Sequence, residues 1–428
     1  MSNPSQKLSS RLALRAAATA LVIVLALTVA TTPAAQAQTF TVVHAFTGGA
    51  DGGNPFAGLT ADRAGNFYGT TAYGGHTGGN CGGGVCGTVF KVARAGNGWV
   101  LTPLYAFLGG SDGMTPEARV VFGPDGSLYG TTSIYTVFNL KPPATRPASV
   151  FSPWTEKTLY EFSGGSDGVF PEGDLTFDQA GNVYGGVFAG GGGPCYEGCG
   201  NIYKLSPSNG GWTETTVYGF QGIPDGSGPT AGVIFDGEGN LYGTTFEGGT
   251  YGYGTVFRLR PSGSGWIEDI LHSFQSSDGG YYPGAGLIWD GAGNLYGSTT
   301  DGPGSSGVIF ELSPSNGGWT YTVLAQIPSS YEGGPKAPLV MDQAGNLYGT
   351  IDGYCEYCWG AVFKLTHGSG GWTFTSLHDF TGGSDGGHPY SNLVFDANGN
   401  LYGTASNGGP VNDKCQYQSC GIVFEITP

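Results

Sequence analysis

Basic residues are scarce in this chain, which carries 16 Lys and Arg against 32 Asp and Glu. A surface of that sign repels phosphate backbones, so nucleic acid is excluded as a partner. Histidine is rarer still, at six, and no His-x-x-x-His pair or phosphate-cradling loop ending in Gly-Lys occurs. Those gaps remove the zinc-protease and P-loop nucleotide classes. No long apolar run follows the N-terminal segment, so no span is expected after it. Stretches with helical periodicity are missing too.

What is present is repetition. An aromatic or aliphatic residue followed by Tyr-Gly, most often preceded by Asn, recurs with its tyrosine at Tyr68, Tyr129, Tyr184, Tyr242, Tyr296, Tyr348 and Tyr402. One copy at this spacing is one supersecondary unit. Glycine, at 82 of 428 residues, has no three-residue period, and 13% aromatics argue for a packed body rather than a linker. The glycines punctuate and the aromatics pack.

The copy from Pro229 to Phe274 predicts four β-runs: Ala231 to Asp236, Leu241 to Phe246, Thr255 to Leu259 and Trp266 to Phe274, the last reached through a turn at Pro261 to Gly265. Four antiparallel strands per repeat predict a propeller blade. Apolar groups on successive positions, as in Thr255 to Leu259, Gly307 to Leu312 and Gly360 to Leu365, fit a sheet covered on both faces by its neighbours. The glycine after each repeated tyrosine is expected to admit a ring from the adjacent sheet, since it has no Cβ. The expected fold is all-β, a seven-bladed propeller over residues 38–428.

The phase of the repeat predicts how the ring closes. Thr39 to Phe46 matches the last piece of an internal copy, Trp372 to Phe380, whereas the final copy ends at Gly421 to Ile426 without that piece. The N-terminal strand should therefore complete the last blade and protect an edge that would otherwise template aggregation.

Residues 1–37 read as a secretory signal: Lys7, Arg11 and Arg15, an apolar run from Ala16 to Ala30, and Ala35-Gln36-Ala37 as the cleavage site. The competing reading is an uncleaved anchor. Cleavage leaves 13 basic residues against 32 acidic, a net charge of −19. Eight cysteines form close pairs: Cys81 with Cys86, Cys195 with Cys199, Cys355 with Cys358, and Cys415 with Cys420. In an exported protein these are local disulfides, each worth roughly 2 kcal/mol for so short a loop. Zinc held by two such pairs is the alternative.

The repeat of this chain resembles that of the GloVer tandem-repeat proteins, exported bacterial proteins grouped with "choice-of-anchor" members. Gly58-Leu59-Thr60-Ala61-Asp62-Arg63-Ala64-Gly65-Asn66-Phe67-Tyr68-Gly69-Thr70-Thr71, followed by Gly87-Thr88-Val89-Phe90-Lys91-Val92, carries the resemblance, which extends over residues 39–428. It implies a secreted or surface protein and brings no activity to transfer. Members with a C-terminal sorting anchor carry an apolar and basic tail that this sequence lacks.

Functional chemistry is expected on the face formed by the loops from second to third strand and from fourth strand to the next blade. That face gathers the cysteine pairs and Tyr73, Tyr196, Tyr251, Tyr253, Tyr354, Tyr357 and Tyr417. Asp51, Asp112, Asp167, Asp225, Asp278 and Asp385, with Glu332 as the seventh member, follow the fourth strands. They are read either as turn-capping acids or as an acidic ring near the central channel that binds Ca²⁺. A second series, Asp62, Asp125, Asp178, Asp236, Asp290, Asp342 and Asp396, marks hairpins on the opposite face. His44, His272 and His378 occupy the slot held elsewhere by Tyr105, Tyr160 and Tyr218, as packing variants. Trp99, Trp154, Trp212, Trp266, Trp319 and Trp372 open fourth strands and cover blade edges, with a carbohydrate platform conceivable at one or two.

These features point to an exported, monomeric, non-enzymatic scaffold for a protein or glycan, without an organic cofactor. The rival is an enzyme acting on extracellular polysaccharide through two loop-face carboxylates of different blades. A structural coat component is the third option.

Overall fold

The computed structural model describes residues 38–75, 81, 86–133, 135–143, 154–353, 359–411, 415 and 419–427. The signal segment, Cys355 and Cys358, Tyr354, Tyr357, Tyr417 and most of the proline-rich stretch after Lys141 lie outside them. Among the described residues no helix is long and apolar enough to cross a membrane.

Seven four-stranded sheets form the blades of a propeller. The fourth blade runs Ile234–Phe235, Leu241–Thr245, Thr255–Ser262 and Gly265–Ser273, each strand paired with the next in order. The last sheet consists of Val394–Phe395, Leu401–Ala405 and Ile422–Thr427, completed by Thr39–Ala45 from the N-terminal side. The predicted closure is thus the one observed.

Strand limits differ from expectation in an informative way. The first strand of each blade is only two residues long, because the residues before it leave the ladder to line the axis of the ring. The third and fourth strands run on through the expected turn, with Pro261 opposite Trp266 and Ser262 opposite Gly265.

The core lies between blades. The phenylalanine that closes six of the seven fourth strands, replaced by Ile327 in the fifth blade, packs toward the next blade: Phe46 with Phe90 at 5.2 Å between centroids, Phe107 with Phe138 at 5.1 Å, Phe220 with Phe257 at 5.2 Å, Phe274 with Phe310 at 5.4 Å. Edge-to-face pairs of this kind add about 0.5–1.5 kcal/mol each beyond the area they bury. The glycine after the repeated tyrosine serves a contact within the sheet, not the inter-sheet approach expected. Gly69 is directly opposite Phe90 on the neighbouring strand, and a Cβ there would come 2.6 Å from that ring and 2.9 Å from Leu59. The far end of the cross-strand ring reaches over its glycine partner, so the constraint arises inside each blade.

The repeated Asn-x-Tyr is explained by one carboxylate. Asp236 accepts from the amides of Glu238 and Asn240, both at 2.9 Å, from the Asn240 side chain at 2.7 Å and from the Tyr242 hydroxyl at 3.1 Å. Burial works to raise its pKa, but these bonds outweigh it and hold the group below the usual carboxylate range. Asp62, Asp178, Asp290 and Asp342 repeat the arrangement.

Candidate functional site

The acids that follow the fourth strands are held at the outer strand ends and are not brought together at the axis. Asp112 accepts from the Tyr105 hydroxyl at 2.7 Å, Asp167 from Tyr160 at 3.0 Å and Asp225 from Tyr218 at 3.2 Å. Asp51, Asp278 and Asp385 instead meet His44, His272 and His378, at 3.1, 2.8 and 3.2 Å. Each also caps a nearby backbone amide, as Asp167 does for Ser163 at 2.8 Å. The tyrosine/histidine slot is therefore a hydrogen-bond partner of the acid as well as a packing position. In the fifth blade that slot is Ala325, and the matching acid, Glu332, sits exposed in a left-handed turn at φ 47°. Among the described residues no three His, Cys, Asp or Glu side chains are grouped to hold a metal ion.

Another series converges on the axis. Just before each short first strand, one residue per blade points into the mouth of the channel on the loop face: Phe56, Glu117, Glu172, Thr230, Gly284, Lys336 and Tyr390. Each follows a proline: Pro55, Pro116, Pro171, Pro229, Pro283, Pro335 and Pro389. The ring fixes the backbone and packs on the glycine preceding a third strand of the previous blade. A Cβ on Gly87 would lie 2.7 Å from Pro116 Cδ, and one on Gly254 would lie 2.6 Å from Pro283 Cδ. The residue before the proline takes positive φ at Asn54, Thr115, Phe170, Tyr282 and His388. Rigid turns thus present seven axial positions, six with side chains and one glycine, that are free to differ. This recurring proline is a signal in the sequence that the search for recurrent acids overlooked.

Two of the seven are carboxylates on adjacent blades. Protein surrounds Glu117 and Glu172 on most sides, although each keeps more than a third of its surface open to the channel. Burial pushes both up, and Glu172, with the Glu117 charge beside it, is raised to about 7. Across the mouth, Lys336 Nζ stands 3.1 Å from Asp352 Oδ2 and 4.6 Å from the Tyr390 ring centroid. Asp352, only 1% exposed, also meets His388 Nδ1 at 2.8 Å. The lysine charge is therefore matched on its own side, and the opposite side keeps the acid pair.

The mouth opens into a cavity of about 830 Å³ toward the seventh blade, walled by Phe56, Tyr73, Trp359 and Tyr390, with Glu117, Ser384 and Asn407 as polar members. Trp359 lies against Gly382, where a Cβ would come 2.2 Å from the indole, so this wall depends on a glycine at φ 73°. Below the mouth the channel narrows to about 100 Å³. There Arg119 donates to Asp174 at 3.0 and 2.8 Å across two blades, and Asn392 covers Gly58. Beyond this constriction a further cavity of about 280 Å³ continues along the axis toward the first strands, past Thr176, Ile234, Ile288 and Val340.

Three of the four predicted disulfides, Cys81–Cys86, Cys195–Cys199 and Cys415–Cys420, are formed on the loop face. The fourth expected pairing, of Cys355 with Cys358, falls outside the described residues and is neither borne out nor overturned. The Cys415–Cys420 bridge packs on the backbone of Gly53, where a Cβ would sit 2.5 Å from Cys415 Sγ. Ser111, Ser166 and Ser384 lie in Gly-x-Ser-x-Gly strings, but none opens an α-helix, so none is a nucleophile elbow.

Residues 28–196 and 186–424 match the family model described as the Gloeobacter/Verrucomicrobia repeat. Among curated proteins no match is found. Solved structures with a similar course include a putative oxidoreductase (glucose dehydrogenase) of Thermus thermophilus, 18% identical, covering 72% of this chain and 95% of that one at a TM-score of 0.44. An aldose sugar dehydrogenase of Streptomyces coelicolor in its PQQ-bound form is 14% identical, covering 72% and 93%, TM-score 0.44. A putative 6-phosphogluconolactonase of Bacteroides uniformis is 14% identical, covering 81% and 96%, TM-score 0.47.

Proposed function

The chain belongs to the Gloeobacter/Verrucomicrobia repeat family, and from that premise we propose that it is an exported binding protein that holds the end of a glycan in the loop-face mouth of its channel. The observation that carries this reading is the mouth cavity itself. Its size falls within the range of small-ligand pockets, roughly 300–1,000 Å³, and its concavity suits a chain end better than a flat protein partner. Aromatic walls at Phe56, Trp359 and Tyr390 offer apolar faces to the C–H surfaces of a sugar, while Glu117, Glu172, Ser384 and Asn407 offer hydrogen-bond partners to its hydroxyls. The matched Lys336 and the acid pair disfavour an anionic ligand. The disulfides on the same face are in keeping with export.

A glycan array probed with the purified full chain, followed by calorimetry on the hits, tests the proposal. Tyr390→Ala and Glu117→Gln should each weaken binding at least tenfold. Binding that survives both substitutions would move the ligand elsewhere.

One observation favours a second reading, hydrolysis. A carboxyl raised to about 7 beside a second acid has the pattern of a general acid and its partner. In that case Glu172→Gln abolishes release of reducing ends from a bound glycan while leaving its binding intact.

A further inference from the structure

The opposite face carries a groove at the fourth-to-fifth blade junction whose aromatic lining is, among the described residues, unlike that of the other junctions. First strands end on Ala61, Phe122, Phe177, Phe235, Trp289, Met341 and Phe395, so an indole stands only at the fourth-to-fifth junction. Trp289 lies 4.8 Å from the Tyr242 ring at 81° and 6.5 Å from Trp319 at 48°. Tyr242 is buried and forms the floor, whereas both indoles are partly exposed and form one broad, bent aromatic surface. A cavity of about 560 Å³ opens over it. Trp319 belongs to a series found in six of the seven blades, but among the described residues only here does it have a second indole beside it.

The polar fringe restricts what fits. Asp236 and Asp290, both held below the usual carboxylate range against the effect of burial, border the groove with the exposed Glu238. Their charge opposes an anion. Arg258 lines the same groove, fixed by Asp269 at 3.0 and 2.8 Å, and its guanidinium opposes a cation. A neutral ligand that is flat and apolar on one side and rich in hydroxyls at its edges meets neither penalty. Its hydroxyls can donate to the exposed Glu238 carboxylate, since Asp236 and Asp290 already accept four hydrogen bonds each, and its C–H face can lie on an indole.

We infer that this groove binds neutral hexose residues of a polysaccharide, one ring on Trp289 and the next toward Trp319. The inference is independent of the channel mouth, since no residue is shared between the two. Taken together with the proposed reading of the mouth, which this groove does not require, it gives the protein two glycan-contacting faces, suited to bridging chains rather than capturing one.

The test is titration of the full chain with cellohexaose, maltohexaose and mannohexaose, read by quenching of tryptophan emission and by calorimetry. Oligogalacturonate and choline serve as the anionic and cationic probes. At least one neutral hexaose should quench emission, and Trp289→Phe, which installs the residue of other blades, should weaken its affinity at least tenfold. Trp319→Ala should do the same, whereas Tyr390→Ala in the mouth should leave this binding unchanged. If the mouth reading fails but this one holds, Tyr390→Ala is silent and Trp289→Phe is not. Absence of binding by all three hexaoses, unchanged affinity in a folded Trp289→Phe protein, or tighter binding of either charged probe would overturn the inference.

Discussion

The amide of Phe46 donates to the carbonyl of Gly421 at 3.0 Å, tying the first described strand to the last blade. Phe46 is fully buried, and Phe40 in the same strand stacks on the His378 ring at 3.8 Å and approaches Phe424 at 5.7 Å. Removing residues 39–46 should therefore open the ring at one seam. Loss of these two aromatic contacts costs roughly 3–5 kcal/mol and bares the edge of Ile422–Thr427, so the deletion should lower Tm by many degrees and promote aggregation. A melting temperature within a degree or two of the parent protein would rule out the clasp.

The glycine that follows each repeated tyrosine sets a second expectation. In Gly243→Ala the new Cβ would stand 2.7 Å from Phe257 Cζ and 3.2 Å from Val233, both fully or nearly fully buried. Neither neighbour can swing into solvent. A loss of about 1–3 kcal/mol is expected from overpacking of this kind, measurable by denaturant unfolding. Gly237→Ala, where nothing lies within 4 Å, is the control and should be nearly silent.

Architecture was legible because it rests on local repetition. The tyrosine spacing, the phase of Thr39 to Phe46 and the close cysteine pairs are each readable from a few neighbouring residues, and the coordinates bear out the blades, the closure and the described disulfides, with Cys355 and Cys358 beyond their reach. The mouth cavity was not legible for the converse reason. Side chains such as Glu117, Lys336 and Tyr390 face the axis, not a neighbouring blade, so packing imposes no common residue type on them. Attention to recurrent acids led instead to Asp51 and its counterparts, whose recurrence reflects turn capping shared by every blade that keeps a Tyr or His partner. Only the invariant proline before each axial residue announces the position, and it leaves the identity of the next side chain open. Trp289 was equally hidden, because a single indole among phenylalanines signals nothing until Trp319 is seen beside it.

The capping role of the outer acids leads to a contrast between two substitutions. Asp167→Ala removes acceptors for the Tyr160 hydroxyl and the Ser163 amide, at 3.0 and 2.8 Å. It should destabilise the protein by about 1–2 kcal/mol, the usual cost of leaving such partners unmatched at a half-exposed site. Glu332→Ala, in the blade where Ala325 replaces the partner, should change stability by less than about 0.5 kcal/mol. Chemical denaturation of the two variants side by side, repeated with millimolar calcium, checks both points. A calcium-dependent gain in stability that Asp167→Ala abolishes would assign these acids to cation binding instead.

The acid pair makes stability depend on pH in a defined direction. Glu172 is raised to about 7 by burial and by Glu117, above its ordinary value of 4.5, so the folded protein holds that proton more tightly than the unfolded chain does. Its contribution is most favourable below about 4.5 and is lost as pH rises through about 7, where ionisation sets two negative charges side by side in the mouth. Channel water screens much of that repulsion, so the loss amounts to no more than about 1–2 kcal/mol. Glu172→Gln removes the ionisation and should flatten the stability profile between pH 4.5 and 7.5. The variant should be the more stable protein at pH 8 and show no advantage at pH 4. Parallel profiles for variant and parent over that range would mean that Glu172 is fully solvated, and the hydrolytic reading of the mouth would lose its acid.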